Sequence, residues 1–478
     1  MSHHSQDKKK NRHMIEKLVV LVQLLLSAVF IMVAWDSGLL PVKYVAAVSA
    51  LLLVLFGICF GMQYIKNKVH IVGVVLSVLI SIALVFGNIY LSKANNLLKD
   101  VGGAAYKTDN MVVVVKKNNP AKNLLDAKNY RFGIQTTVDQ ENNELMKEDI
   151  GKIIGREMKL IEYETIQEEA QALLDGKVEA AIYNEAFTGI IEENIEDYSS
   201  EVRILYQYGI DTPLEVEEKA DVLQPFNIYI SGIDVSGPIT TNSRSDVNII
   251  MSVNPTSKQI LLTTTPRDYY VQIPNISGEQ KDKLTHAGIY GVDVSMNTLE
   301  SIYGIDITYY ARVNFTSLIT IVDALGGVNV ESEYAFSAGG YDFVQGTNHL
   351  NGAQALAFSR ERYSFAEGDN QRGKNQEAVL TAILQKAMSP AILTNASQII
   401  ASVADSVETN MTQEEMAKFI SRQLAEGTGW SIESTAASGT GDMQPCFSSG
   451  SQLLWVMQPD MNSVEAIKQK MGQLLQMQ

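Results

Sequence analysis

Three long apolar runs open the chain and constrain everything that follows them. Leu18 to Trp35, Tyr44 to Met62 and Val69 to Leu91 are nearly free of charge, and each is close to the ~20 residues a helix needs to cross a hydrocarbon core. A buried helical bundle has the same apolar character, but three such runs so early and separated by such short loops favour membrane spans. Lys8, Lys9, Lys10, Arg12 and Lys17 precede the first run, and Lys66 and Lys68 lie between the second and third, whereas the first loop offers only Lys43. The excess of positive charge puts residues 1–17 in the cytoplasm and makes 18–91 a three-helix anchor. After an odd number of spans, everything beyond about Lys93 is expected to be extracellular. Lipid-linked precursors are displayed on that face of a cell membrane and nucleotides are scarce, which disfavours ATP-dependent chemistry.

The formal net charge of -16, from 54 acidic against 38 basic side chains, opposes the attraction on which nonspecific nucleic-acid binding rests. No nucleic-acid partner is expected. Cys59 falls inside an apolar run and Cys446 in a distant polar tail, so no disulfide framework is implied. The histidines show no metal-binding spacing, and any metal should therefore be a hard one held by oxygen.

Beyond the anchor an α/β rhythm begins. Strand-like Met111 to Val115, Arg131 to Ile134, Met158 to Tyr163 and Val178 to Tyr183 alternate with helical patterns, which predicts a small accessory α/β domain over 105–211. We assign it no chemistry, only a spacing or partner-contact role. The acidic, proline-punctuated stretch Thr212 to Asp221 reads as a linker. A larger mixed α/β domain, a central sheet flanked by helices, is expected over 222–478. Its strands are Phe226 to Ile233, Val247 to Val253 and Gln259 to Thr265, and its helices include Phe315 to Leu325, Gly352 to Phe358 and Gln376 to Met388. The Ser/Gly-rich Ser438 to Ser451 reads as an exposed loop.

Only eleven arginines occur, and five of them lie in short polar motifs: Arg244 with Asp246 in Ser243-Arg-Ser-Asp, Arg267 in Thr265-Pro-Arg-Asp, Arg360 and Arg362 in Ser359-Arg-Glu-Arg, and Arg372 in Gly368-Asp-Asn-Gln-Arg. Lysine supplies most solvating positions here, whereas the planar guanidinium fork suits phosphate oxygens. Arg267 and Asp234 end strands and Asp246 opens one, so the three are expected at one edge of the sheet. Spacings of two place Arg244 with Asp246, and Arg360 with Arg362, on common faces of extended chain. Arg372, Lys374 and Gln376 lie at or near a helix start, whose amides and dipole favour an anion. Asp234 and Asp246 are reasonable Mg²⁺ or Mn²⁺ ligands beside a phosphate. Ordinary ion pairing of these arginines with Asp268, Glu361 and Asp369 accounts for the same spacings, so both readings stand at this point.

Asn227-Ile-Tyr-Ile-Ser-Gly-Ile-Asp, Asn242-Ser-Arg-Ser-Asp, Thr265-Pro-Arg-Asp, Leu350-Asn-Gly-Ala-Gln-Ala-Leu-Ala-Phe-Ser-Arg-Glu-Arg and Gly368-Asp-Asn-Gln-Arg-Gly-Lys-Asn-Gln together resemble the LytR-CpsA-Psr family. Three spans and a small extra domain look most like its streptococcal capsule-assembly CpsA branch. The resemblance covers roughly Leu223 to the C-terminus. It implies a phosphotransferase that moves a glycopolymer, in this branch capsular polysaccharide, from undecaprenyl pyrophosphate onto peptidoglycan. It also implies that Asp234 and Asp246 bind Mg²⁺ and that Arg244, Arg267, Arg360, Arg362 and Arg372 hold the pyrophosphate, with Asp369 orienting them. Many members carry a further arginine where this chain has Asn375, and Lys374 stands beside that place. Ile249, Leu261, Leu318, Ile321, Val322, Leu356 and Val379 are expected around the prenyl tail, and Asp369 and Glu361 are left as general-base candidates. The implied partners are the polyprenyl-pyrophosphate polysaccharide, peptidoglycan, the membrane and capsule-synthesis proteins. A pyrophosphatase of the same lipid and a non-catalytic regulator of capsule assembly are the competing functions.

Overall fold

The computed structural model describes residues 2–65, 68–101, 106–214, 221–233, 239–366, 368–389, 407–427 and 429–476. Its first helices are Ser2–Asp36, Val42–Met62 and Val69–Val101, and the apolar stretches Met14–Asp36, Val42–Met62 and Val69–Lys93 are each long enough to cross a membrane. Leu18, Leu25, Met32, Leu51, Leu79 and Ile82 point outward, as a lipid-facing surface requires. Gln23, Ser27 and Ser77 are buried between the helices, where intramembrane polar groups belong.

The accessory domain carries a five-stranded sheet in the order Lys159–Tyr163, Arg131–Gln135, Ala180–Asn184, Tyr106–Lys116, Val202–Pro213. The first three run parallel, and Tyr106–Lys116 is antiparallel to both of its neighbours. Alternation along Met111–Val115 explains why both faces are covered. Met111, Val113 and Val115 pack with Met146 and Ile150 of helix Gln140–Ile154, while Val112 and Val114 pack with Ile166, Ala170 and Leu173 of helix Ile166–Asp175.

The larger domain is built on a six-stranded mixed sheet: Val407–Thr409, Tyr309–Asn314, Phe226–Ile233, Ser245–Asn254, Gln259–Thr264, Ser431–Ala436. Tyr309–Asn314 is parallel to Phe226–Ile233, and Ser431–Ala436 to Gln259–Thr264. Helices Val292–Tyr303 and Met461–Gln476 cover one face around Tyr229, Ile250 and Leu261. On the other face Ile228, Ile249 and Leu262 meet Leu380 and Leu384 of helix Asp369–Ala387 and Phe419 of helix Gln413–Glu426. A further core of Val322, Phe336, Phe358 and Val379 joins helices Phe315–Ala324, Gly352–Arg360 and Asp369–Ala387.

Two expectations are corrected. Leu261 and Ile249 do not share a wall, because Leu261 stands opposite Ser252, three residues from Ile249 on the neighbouring strand, and an odd spacing along a strand turns side chains to opposite faces. Val322, Leu318, Ile321 and Val379 belong to the third core, so six of the seven residues expected around one prenyl tail are spread over three clusters. Ser438 to Ser451 is not a loop: Gly439–Pro445 pairs antiparallel with Leu453–Pro459, and Ser448 and Ser449 are buried. Its polar composition hid a strand whose apolar partner comes later in the chain.

The domains touch through specific bonds. Thr108 and the segment at Thr240–Asn242 exchange two backbone hydrogen bonds, 3.1 Å from the Thr108 amide to the Thr240 carbonyl and 2.9 Å from the Asn242 amide to the Thr108 carbonyl. Lys107 donates to the Tyr290 carbonyl at 2.8 Å and pairs with Asp293 at 3.1 Å. Below, Ala417, Met416 and Ile420 of helix Gln413–Glu426 pack on Ala34, Leu39, Val45 and Leu91 of the anchor. Lys43 donates to the Ala425 carbonyl at 2.6 Å.

Candidate active site

Strand Gln259–Thr264 stops because Pro266 has no amide to continue a ladder. Arg267 emerges immediately after it. Thr265 is held by its amide to the Asn248 carbonyl at 2.8 Å and by its hydroxyl to Tyr303 at 2.9 Å, and the Arg267 carbonyl accepts from the Thr285 amide at 2.8 Å. The exit is rigid, and it aims Arg267 Nη1 at Asp246 Oδ1, 2.9 Å away at the start of the neighbouring strand. Thr285 Oγ1 donates to the same oxygen at 3.2 Å. Among the described residues, Oδ2 carries no further hydrogen bond.

A pocket opens here, lined by Asp246, Asn248, Thr264, Thr265, Pro266, Arg267, Arg372, Gly373, Gln376, Ala436 and Ala437. Arg372 and Gln376 enter from the first turns of helix Asp369–Ala387, so helix dipole and guanidinium both favour an anion. Burial pushes the Asp246 carboxyl up, but Arg267, Arg244 and Arg372 outweigh it and hold the group below the usual carboxylate range. The roof helix is clamped by Glu377, whose Oε1 accepts from the Thr264 amide at 3.1 Å and its hydroxyl at 2.6 Å.

A second hollow, between Val19, Val22, Val78, Ser81, Ile82, Val85 and Phe86 of the anchor, holds no charged residue to pair with a pyrophosphate.

The remaining candidates are placed differently. Arg360 ends helix Gly352–Arg360, so the extended-chain argument pairing it with Arg362 fails. Its guanidinium lies 4.3 Å from the Phe315 ring centroid. Arg362 donates to the Tyr363 hydroxyl at 2.6 Å, and neither arginine is among the pocket-lining residues. Lys374 stands 3.6 Å from Glu333, also outside the lining. Asn375, at the place of the further arginine, is buried and donates to the Phe358 carbonyl at 3.3 Å. Glu361 caps a turn by accepting from the Ser364 amide at 2.7 Å. Asp234 and the Asp369 side chain lie outside the described residues.

Arg244 meets the accessory domain. Its Nη1 is 3.6 Å from Glu193 Oε1, and Glu193 Oε2 is 2.9 Å from Lys283 Nζ. Lys283 is 3.4 Å from Asp268, which is 3.5 Å from Arg267. His286, fully buried, lies 2.7 Å from Asp282 and 3.8 Å from Glu193. Burial raises the Glu193 carboxyl, but His286 and Lys283 bring it down to about 2. Sequence reading missed this network. The four-residue spacing of Asp282 and His286 was its one local signal, and Glu193 had none.

Asp246, Arg267, Arg372 and Gln376 meet at one pocket, and the sequence model of the LytR_cpsA_psr family matches residues 194–472. The chain belongs to the LytR-CpsA-Psr family. Among the relatives of this LytR-CpsA-Psr chain, the Enterococcus faecalis protein named polyisoprenyl-teichoic acid–peptidoglycan teichoic acid transferase TagU is 36% identical over 223 residues, 46% of this chain and 72% of that one. The protein of the same name from Bacillus cereus is 35% identical over 202 residues, 42% of this chain and 65% of that one. This chain thus spans about two thirds of their length. The crystal structure of B. subtilis TagU is 27% identical, with a TM-score of 0.43 over 53% of this chain and 98% of that one.

Proposed function

We propose that this LytR-CpsA-Psr protein is a phosphotransferase that moves a glycopolymer from a polyprenyl pyrophosphate carrier to peptidoglycan on the outer face of the cell membrane. The observation that carries the reading is the convergence of Arg267, Asp246, Arg372 and Gln376 on one pocket at the sheet edge. The relatives named as teichoic acid transferases support the reaction class. The three apolar helices followed by a small α/β domain favour capsular polysaccharide as the cargo, because that layout resembles the capsule-assembly branch.

An acceptor sugar hydroxyl attacks the polymer-proximal phosphorus. The new P–O bond forms as the bridging P–O bond breaks, prenyl phosphate leaves with the electron pair, and the hydroxyl proton passes to base. Arg267 and Arg372 align the pyrophosphate and stabilise oxygen charge that grows at the transition state. Asp246 fits a hard divalent ion, since it is kept ionised and has one carboxylate oxygen free of hydrogen bonds among the described residues. Asp246 and Asp234 would hold Mg²⁺ or Mn²⁺, which supplies further neutralisation of phosphate oxygens.

The test incubates the full chain in detergent with a short-chain prenyl-pyrophosphoryl saccharide, a glycan-strand fragment and Mg²⁺. A phosphodiester-linked glycan is expected. Release of phosphorylated saccharide irrespective of acceptor would make the protein a pyrophosphatase, and neither product would make it a regulator.

A further inference from the structure

We infer that Glu193 of the accessory domain is a positioning residue for the pyrophosphate site, and that with Gly189 it fixes the guanidinium of Arg244. The inference rests on the transferase reading above and assigns the small domain a part in that reaction.

Two independent contacts carry it. The first is steric. A Cβ on Gly189 would lie 2.4 Å from Arg244 Cζ, 2.6 Å from Nε and 2.7 Å from Nη2, so the guanidinium rests directly on backbone that only glycine leaves open. The second is electrostatic. Glu193 offers one oxygen to Arg244 at 3.6 Å and the other to Lys283 at 2.9 Å.

Lys283 is nearly buried, with 7% of its side chain exposed, and continues the alternation of charge through Asp268 and Arg267 to Asp246. Glu193 therefore ends a chain of ion pairs whose other end is the pocket. The segment before Arg244 is pinned as well, by the bonds between Thr108 and Thr240–Asn242.

The physical consequence follows from the length of the arginine side chain. A free arginine carries substantial rotamer entropy, and a side chain already held in place loses less of it when it meets the phosphate. Misplacement by about 1 Å can cost on the order of 10²-fold in rate. Glu193→Gln keeps the shape of the side chain and removes its charge, and is expected to lower kcat for transfer about tenfold. KM for the prenyl-pyrophosphoryl saccharide should change little, because the oxygen charge that Arg244 meets grows in the transition state. Gly189→Val should push the guanidinium aside and give the same kcat loss.

The deciding measurement is a double-mutant cycle in the full chain, with thermal melts confirming that each variant is folded. In an Arg244→Ala background, Glu193→Gln is expected to cause much less loss than in the parent, because only the path through Lys283, Asp268 and Arg267 remains open to it. Unchanged transfer by Glu193→Gln alone, or losses that multiply with Arg244→Ala, would overturn the inference. Those results are distinguishable from failure of the transferase reading, which would show as no phosphodiester product from the parent protein itself.

Discussion

Glu377 shows how one carboxyl can hold a site together and yet weaken the fold at neutral pH. It is 4% exposed and accepts two hydrogen bonds from Thr264, which fasten the helix bearing Arg372 to the strand leading to Arg267. Burial raises its pKa from about 4.5 to about 7, against the pull of those donors. The folded protein therefore binds more protons than the unfolded chain between these values, and stability falls as pH rises through that window. Glu377→Gln preserves an acceptor for Thr264 without the charge. Thermal unfolding should match the parent near pH 4 and show the variant more stable at pH 8, by roughly 3 kcal/mol at most; an equal pH dependence in both would contradict the assignment. At this scale Arg267, Asp246 and Arg372 were legible, because strand ends and a helix start announce themselves in short motifs. Glu377 and Glu193 were not, since their roles depend on which element they meet across the fold.

Strand Tyr309–Asn314 is secured by an ion pair rather than by apolar packing alone. Arg312, 1% exposed, pairs with Glu408 of strand Val407–Thr409, and the Tyr310 hydroxyl donates to the same carboxylate at 2.9 Å. Removing one member of a buried pair leaves an uncompensated charge, typically at a cost of ~3–5 kcal/mol. Glu408→Leu is expected to shift the denaturation midpoint by about that free energy, and a loss below about 1 kcal/mol would show the pair to be dispensable. Elements with strong periodicity, such as Phe226–Ile233 and Phe315–Ala324, were visible from pattern alone. Arg360 was misjudged because the Asn351 capping box drives a helix through it. The hairpin at Gly439–Pro445 was missed because its partner strand holds the apolar residues.

The whole molecule is arranged as a site above an anchor. Helix Gln413–Glu426 seats the larger domain on the span ends near Leu39 and Leu91, and a Cβ on Gly38 would stand 3.7 Å from that of Ala417, within the range that a disulfide bridges. Gly38→Cys with Ala417→Cys should therefore crosslink on mild oxidation, seen as a mobility shift reversed by reductant. Failure to crosslink would contradict this seating, although the positive φ at Gly38 makes the substitution mildly strained. The anchor was the most legible feature of all, since hydropathy alone marks it, whereas the accessory domain's ion pair with Arg244 was invisible from a chain order that separates Glu193 from Arg244 by a linker. The most direct measurement of the central claim compares transfer of a prenyl-pyrophosphoryl saccharide to a glycan acceptor by the parent protein, Arg267→Ala and Asp246→Ala, each checked for folding. The parent should form the phosphodiester and both variants should be slower by ~10²–10³; near-parental transfer by either folded variant would contradict a phosphate site at this sheet edge.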